Sequence, residues 1–219
     1  GYTSHGLFQS DEEAAKANQS FLSGSKWSAG DVKFEDLDDN GKIDNGDNTL
    51  ANPGDMRIIG NSTPRYQFGI TAGLDWKGID FEMFWQGVAK RDVFPGGAQF
   101  WGFTDEWCTP QTTSTDYWTK DNPNAYLPKL HHYGVGGANR VTSTRYMQNA
   151  AYMRLKNITL GYTLPKNITE KWYISRLRFF VQAENMLTIT KIKWSDPETL
   201  NNMTYPLNKK ISVGVNVTL

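Results

Sequence analysis

The clearest periodicity in the chain runs from Arg65 to Trp76. There Tyr66, Phe68, Ile70, Ala72, Leu74 and Trp76 alternate with Gln67, Gly69, Thr71, Gly73 and Asp75. A period of two predicts a strand with one apolar and one polar face. Lys77-Gly78 reads as a two-residue turn. Beyond it Ile79, Phe81, Met83 and Trp85 alternate with Asp80, Glu82 and Gln86, and Phe84 is the one misfit. From Gly87 to Ala150 the alternation dissolves into roughly sixty residues punctuated by Pro and Gly and scattered with rings. So long an insertion is functional, self-packed or disordered, and its aromatic content argues against disorder. Alternation returns over Tyr152–Leu164, stops at Pro165, and resumes over Arg176–Leu187 and Lys210–Leu219.

The pattern therefore predicts an all-β chain of about five antiparallel strands whose connections alternate between short and long. Strands of about 10–12 residues with one apolar face and such connections fit a transmembrane β-barrel. A soluble sandwich shares the period, with its apolar face turned to a core. Ring placement favours the barrel, because Tyr66, Trp76, Trp85, Tyr162 and Trp172 fall near strand ends, where interfacial girdles lie. Five strands cannot close a wide barrel, so the chain is expected to oligomerise or to be part of something larger.

Composition sharpens this picture. Among 219 residues, 23 Lys and Arg balance 23 Asp and Glu, which removes the electrostatic argument for nucleic acid as a partner. The single cysteine, Cys108, excludes a disulfide framework and a cysteine-based zinc site. No run of about 18 apolar residues marks a transmembrane helix. Eight Trp, ten Tyr and eleven Phe nevertheless accompany a hydrophobic content of only 38%. Rings are abundant where a large aliphatic core is not.

Two groups of residues carry candidate chemistry. Asp36, Asp38, Asn40, Lys42, Asp44 and Asp47 fall at positions 1, 3, 5, 7, 9 and 12 of a calcium-type loop, with Gly41 at the sharp turn and Ile43 as an apolar anchor. Lys42 would contribute its backbone carbonyl, its side chain pointing outward. Clustered carboxylates repel one another unless a cation intervenes, so calcium is the expected cofactor; a plain Asp/Asn/Gly-rich turn is the bland alternative. Trp101, Trp107, Tyr117 and Trp118 offer rings that could stack on a glycan or peptide, or form the small core of a long loop. Asp80, Glu82, Arg178 and Glu184 are expected to form a hydrated wall. No catalytic motif is present, and the chain is not expected to be an enzyme. His131-His132 lacks a third ligand at helical spacing and reads as loop surface, and Gly134-Val135-Gly136-Gly137 lacks the strand and helix of a dinucleotide site.

Several separated blocks resemble the C-terminal part of SusC/RagA-like TonB-linked outer-membrane proteins. They are Gly6-Leu7-Phe8-Gln9-Ser10, Pro53-Gly54-Asp55-Met56-Arg57-Ile58-Ile59-Gly60-Asn61, Phe84-Trp85-Gln86-Gly87-Val88, Tyr152-Met153-Arg154-Leu155-Lys156-Asn157, Ala183-Glu184-Asn185-Met186-Leu187-Thr188 and Asp196-Pro197-Glu198. The resemblance implies a 22-stranded barrel in the bacterial outer membrane, of which this chain supplies the last strands. Upstream strands, the plug and the TonB-interacting region would be the remainder of the same receptor. It further implies TonB-dependent import of oligosaccharides or peptides together with a SusD-like surface lipoprotein. Taking Leu219 as periplasmic makes residues 1–64 an extracellular segment carrying the calcium-type loop. Residues 65–219 then supply strands, with extracellular loops at 88–151 and 188–209, and outer-membrane lipid faces the apolar side. The rival readings are a secreted calcium-dependent carbohydrate-binding β-sandwich and a glycan hydrolase, for which nothing marks Asp80 and Glu82 as a catalytic pair.

Overall fold

In the computed structural model of the chain every alternating segment becomes a strand, and shorter elements join them. The structure describes residues 1–20, 22, 26–105, 107–108, 112–132, 136–200, 205 and 207–219. The strands are β1 (Ser4–Leu7), β2 (Val32–Phe34), β3 (Arg65–Trp76), β4 (Ile79–Lys90), β5 (Asp92–Val93), β6 (Gln148–Asn149), β7 (Tyr152–Thr163), β8 (Arg176–Thr190) and β9 (Lys210–Thr218). Short helices α1 (Asp11–Lys16), α2 (Ala98–Trp101) and α3 (Lys166–Thr169) accompany them. By compactness the chain divides into a loop unit, residues 1–62 with 92–148, and a sheet unit, residues 63–91 with 149–219.

In the sheet unit five antiparallel strands run in the order β3-β4-β7-β8-β9, so each pairs with its sequence neighbours in the sheet and β3 and β9 are the edges. Lys77 and Gly78 both take positive φ, 48° and 85°, the mirror-image turn whose twist matches the strands it joins. Two irregularities set which residues share a face. Opposite β4, Phe84 pairs with Asn157 and Trp85 with Leu155, leaving Lys156 as a bulged extra residue. The bulge shifts the alternation of β7 by one, so Tyr152 and Arg154 join the face of Asn157 and Thr159. In β8, Asn185 at φ 55° marks a second bulge, and alternation continues past the predicted end at Leu187 through Ile189. Phe84, the misfit of the pattern, belongs to the polar face and lies against Gly69, where a methyl group would come within 3.1 Å of its ring. Phe180 covers Gly214 in the same way.

The apolar face is bare. Ile70, Leu74, Leu160, Val181, Ile211, Val213, Val215 and Val217 are all exposed, Val213 to 77%. A sandwich would bury these side chains under a second sheet. Among the described residues of this unit the strands form one sheet only.

The loop unit holds its rings inside. Tyr2, Phe8, Phe34, Phe100, Trp101, Trp118 and Tyr146 are buried, with Val32, Ile43 and Leu127 among them. Tyr146 packs edge-on against Trp101 at 4.8 Å, Tyr126 at 5.5 Å and Phe100 at 6.0 Å. Long-range hydrogen bonds bind the two halves of this unit: Lys129 N–H to the Gly30 carbonyl, Tyr2 N–H to Thr142, and Val32 N–H to Asn139 Oδ1. The pattern attaches 88–151 to the strands, whereas by compactness residues 92–148 group with 1–62, because the two stretches share one aromatic core.

Candidate functional site

The polar face of the sheet is built from charge laid over glycine. Arg178 grips both carboxylate oxygens of Asp80, its Nε donating at 2.8 Å, and its guanidinium lies 5.0 Å from the Phe180 ring. Gly161 is what gives that pair room, since a Cβ there would strike Asp80 and Arg178. With Asp75, Glu82 and Arg176 the pair lines an open depression of about 600 Å³. Asp80 and Arg178 neutralise one another, while Asp75, Glu82 and Arg176 add further charge to the depression. Farther along the same face, Arg154, only 2% exposed, meets Thr188, Asp196 and Glu198, and Lys156 also meets Glu198. Sequence reasoning missed this cluster, because the shift at Lys156 hides that Arg154 shares a face with Thr159.

The acidic loop assembles differently from its template. Asp36 and Asp38 converge with Asp55, their carboxylate oxygens within 4.8 Å of one another. That spacing is about twice a calcium–oxygen bond, so one hard cation can reach all three. Asp55 is fully buried, accepting from Leu37 N–H at 2.6 Å and Asp44 N–H at 2.9 Å. It lies eight residues beyond the loop template, which is why spacing alone did not find it. Asp36 also accepts from Gly41 N–H at 2.7 Å, and Asn40 Oδ1 accepts from Lys42 N–H at 2.9 Å. Asp44 and Asp47 are engaged elsewhere. The Lys42 ammonium does not point away from the loop but sits 2.7 Å from Asp44 Oδ2, and Asp47 accepts from Asn52 Nδ2 at 2.9 Å. The hydrogen bond to Asp44 raises Lys42 above the ordinary lysine value, and Lys42 together with Gly46 N–H holds Asp44 below the usual carboxylate range.

The four candidate rings separate. Trp101 is buried and donates its indole N–H to the Pro95 carbonyl at 2.8 Å. Trp118 is buried against Gly30. Both rings are spent on packing. Trp107 is 89% exposed and Tyr117 is half-buried, so these two keep surface for a ligand. The loop unit also holds an apolar cleft of about 870 Å³, lined by Met56, Ile58, Ile59, Phe94 and Met147 with Asp92 at its edge, which no motif announced.

His131 is corrected from loop surface to a half-buried polar tie. Its Nε2 lies 2.5 Å from Asp31 Oδ1, which also accepts from Asn139 Nδ2 at 2.7 Å, while Asp31 Oδ2 accepts from Ser28 N–H at 2.8 Å. Burial pushes the Asp31 carboxyl up, but the bonds from His131 and Asn139 outweigh it and hold the group below the ordinary carboxylate range. Of the glycine run near His132, Gly134 and Val135 lie outside the described residues.

No family model matches the chain. It is 29% identical over 198 residues to TonB-dependent receptor P3 of Formosa agariphila, covering 90% of this chain and 18% of that protein. It is 24% identical over 189 residues to TonB-dependent receptor P26 of the same organism, covering 80% of this chain and 19% of that one. The chain thus spans about a fifth of the length of these relatives. Among solved structures it superposes on the RagAB peptide importer in its open-open state, at a TM-score of 0.66 and 22% identity over 100% of this chain and 22% of that one. The expected resemblance to SusC/RagA-like TonB-linked receptors is borne out, and the five-stranded sheet matches a fragment of such a receptor's β-barrel.

Proposed function

We propose that this chain is wall and outer loop of a TonB-dependent importer in the bacterial outer membrane. The observation that carries this reading is the bare apolar face, exposed on every strand of the sheet, opposite a face that carries ion pairs. Water on both sides would leave the apolar face unfavourable, while lipid on one side and an aqueous passage on the other suits both. The unpaired edges β3 and β9 fit closure by further strands of the same receptor. The cargo is an oligosaccharide or peptide, taken with a SusD-like surface lipoprotein; the likeness to a RagAB peptide importer favours a peptide. A plug and a TonB-interacting region elsewhere in the receptor would couple import to energy. Of the four candidate rings, Trp107 and Tyr117 keep surface to touch cargo or lipoprotein. The sandwich reading is disfavoured by the same bare face. The decisive experiment expresses the whole receptor and follows its fractionation and uptake of defined peptides and oligosaccharides. Enrichment in outer membranes with TonB-dependent uptake is expected, and a receptor soluble without detergent would sink the reading.

The acidic loop serves this reading as a calcium clip. Asp36, Asp38 and Asp55 would hold the ion, with Asn40 and the Lys42 carbonyl as further oxygen donors, and Asp44 and Asp47 would shape the surrounding turn. Bound calcium would supply charge neutralisation and rigidity rather than a chemical step. Calorimetry of the whole receptor is expected to record calcium binding that Asp36→Asn with Asp55→Asn weakens at least tenfold. Affinity unchanged by the pair of substitutions would remove the ion from this loop.

A further inference from the structure

The bulge at Lys156 has a consequence for the segment after β8. Because it turns Arg154 onto the polar face, whatever binds that guanidinium is drawn over the same face. Arg154 donates to Thr188 Oγ1 on the neighbouring strand at 2.9 Å, to Asp196 Oδ2 at 2.6 Å and to Glu198 Oε2 at 2.8 Å. Lys156 donates to both oxygens of Glu198 at 2.8 Å. Asp196 and Glu198 flank buried Pro197 in a tight turn, closed by Glu198 N–H on Asp196 Oδ1 at 3.0 Å and Leu200 N–H on the Asp196 carbonyl at 2.9 Å. The turn is anchored at its start by buried Ile192, whose N–H donates to Thr190 Oγ1 at 3.2 Å. Two acids of one short segment thus meet two bases of one strand, and residues 192–199 fold back over that strand.

We infer that residues 192–199 form a strap latched across the polar face by the Arg154, Lys156, Asp196 and Glu198 ion pairs. The inference rests on the barrel reading for its significance, since only there does the polar face line a passage that the strap narrows. The chemistry suits a latch better than a permanent weld. Charged pairs of good geometry hold firmly when shielded, yet each partner regains full hydration once released, unlike an apolar contact. The strap's two acids form a compact anionic pair, so the latch leaves two bases ready to be recaptured.

Hydrogen exchange of the whole receptor in nanodiscs tests this. Wild-type 192–199 is expected to exchange slowly, and Asp196→Asn with Glu198→Gln to speed that segment at least tenfold while β7 and β8 stay as protected as before. Lys156→Arg, which preserves the pairing, is expected to leave exchange within twofold of wild type. Unchanged exchange in the double variant would overturn the latch. Exchange rising equally in β7 and β8 would also overturn it, by showing that the charges hold strands rather than strap. Arg154→Met supplies a second release from the strand side, and failure to speed 192–199 in a receptor that still folds counts equally against the proposal. The barrel reading is judged separately, by whether the wild-type receptor reaches the outer membrane at all.

Discussion

The two units use the same side chains for opposite purposes. In the sheet unit the large apolar residues point outward and the polar ones pair across strands, as Val213 and the Asp80–Arg178 pair do. In the loop unit the rings turn inward: Tyr146 has no exposed surface, and it packs among Phe100, Trp101 and Tyr126. The difference teaches that hydrophobicity reports the solvent as much as the fold. A sheet that meets lipid needs no covering layer, whereas a long loop in water must build its own core from whatever rings it carries. Aromatic residues scattered through a stretch with no periodicity are therefore as easily core as recognition surface.

The largest effect that could break this comparison lies in the aromatic core. Tyr146→Ala is expected to destabilise the loop unit by about 3–5 kcal/mol, the range for emptying a buried aromatic site. Trp107→Ala, on an exposed ring, is expected to change stability by less than about 0.5 kcal/mol. Limited proteolysis of the whole receptor, scored for cleavage within 92–148, separates the two. If Trp107→Ala opened the unit as readily as Tyr146→Ala, the division between packing and presenting rings would collapse.

Adjacent residues of β8 give the next test. Val181 is exposed on the apolar face and Gln182 follows it on the polar face, paired with Ser212 and Thr159. Val181→Arg places a charge toward lipid, at a cost of about 2–4 kcal/mol near the midplane of a bilayer and less toward its edges. Gln182→Arg meets water and neighbouring acids, and is expected to be tolerated. Heat-modifiable electrophoretic mobility of membrane-extracted receptor reads the assembled fraction. Equal assembly of both variants would contradict a lipid-facing side.

How much was legible follows the same divide. The five strands could be read directly, because a sheet with one apolar and one polar face writes its geometry into every second residue. What escaped there was local: the Lys156 bulge, which reverses the faces of Arg154 and Leu155, and the Asn185 bulge, which let β8 run past its predicted end. In the loop unit almost nothing could be read. Its order comes from single side chains reaching distant backbone, such as Gln19, which accepts from Phe34 N–H and donates to the Val32 carbonyl. Such bonds have no period. Asp55 and His131 were missed for that reason, since each meets its partners only after the chain has folded back.

The smallest expected effect concerns charge in the two units. In the sheet, Asp80 and Arg178 face an open depression, but in the loop unit Asp31 is buried with His131 and Asn139 upon it. Those bonds and the His131 charge favour the ionised carboxylate, so the folded state binds a proton on Asp31 less readily than an unfolded aspartate, which titrates near about 3.9. The unfolded chain therefore takes up this proton first as pH falls. The contribution of Asp31 is complete above the unfolded value and is lost as pH drops through the depressed folded value. Thermal unfolding of the loop unit, followed by near-ultraviolet circular dichroism of the solubilised receptor, is expected to shift downward on acidification below about pH 4. Asp31→Asn is expected to cost about 1–3 kcal/mol near neutrality, because it weakens bonds to a buried charged acceptor, and to flatten that part of the acid response. A wild-type acid response that survives unchanged in Asp31→Asn would move the responsible carboxylate elsewhere, away from the bonds that His131 and Asn139 make to Asp31.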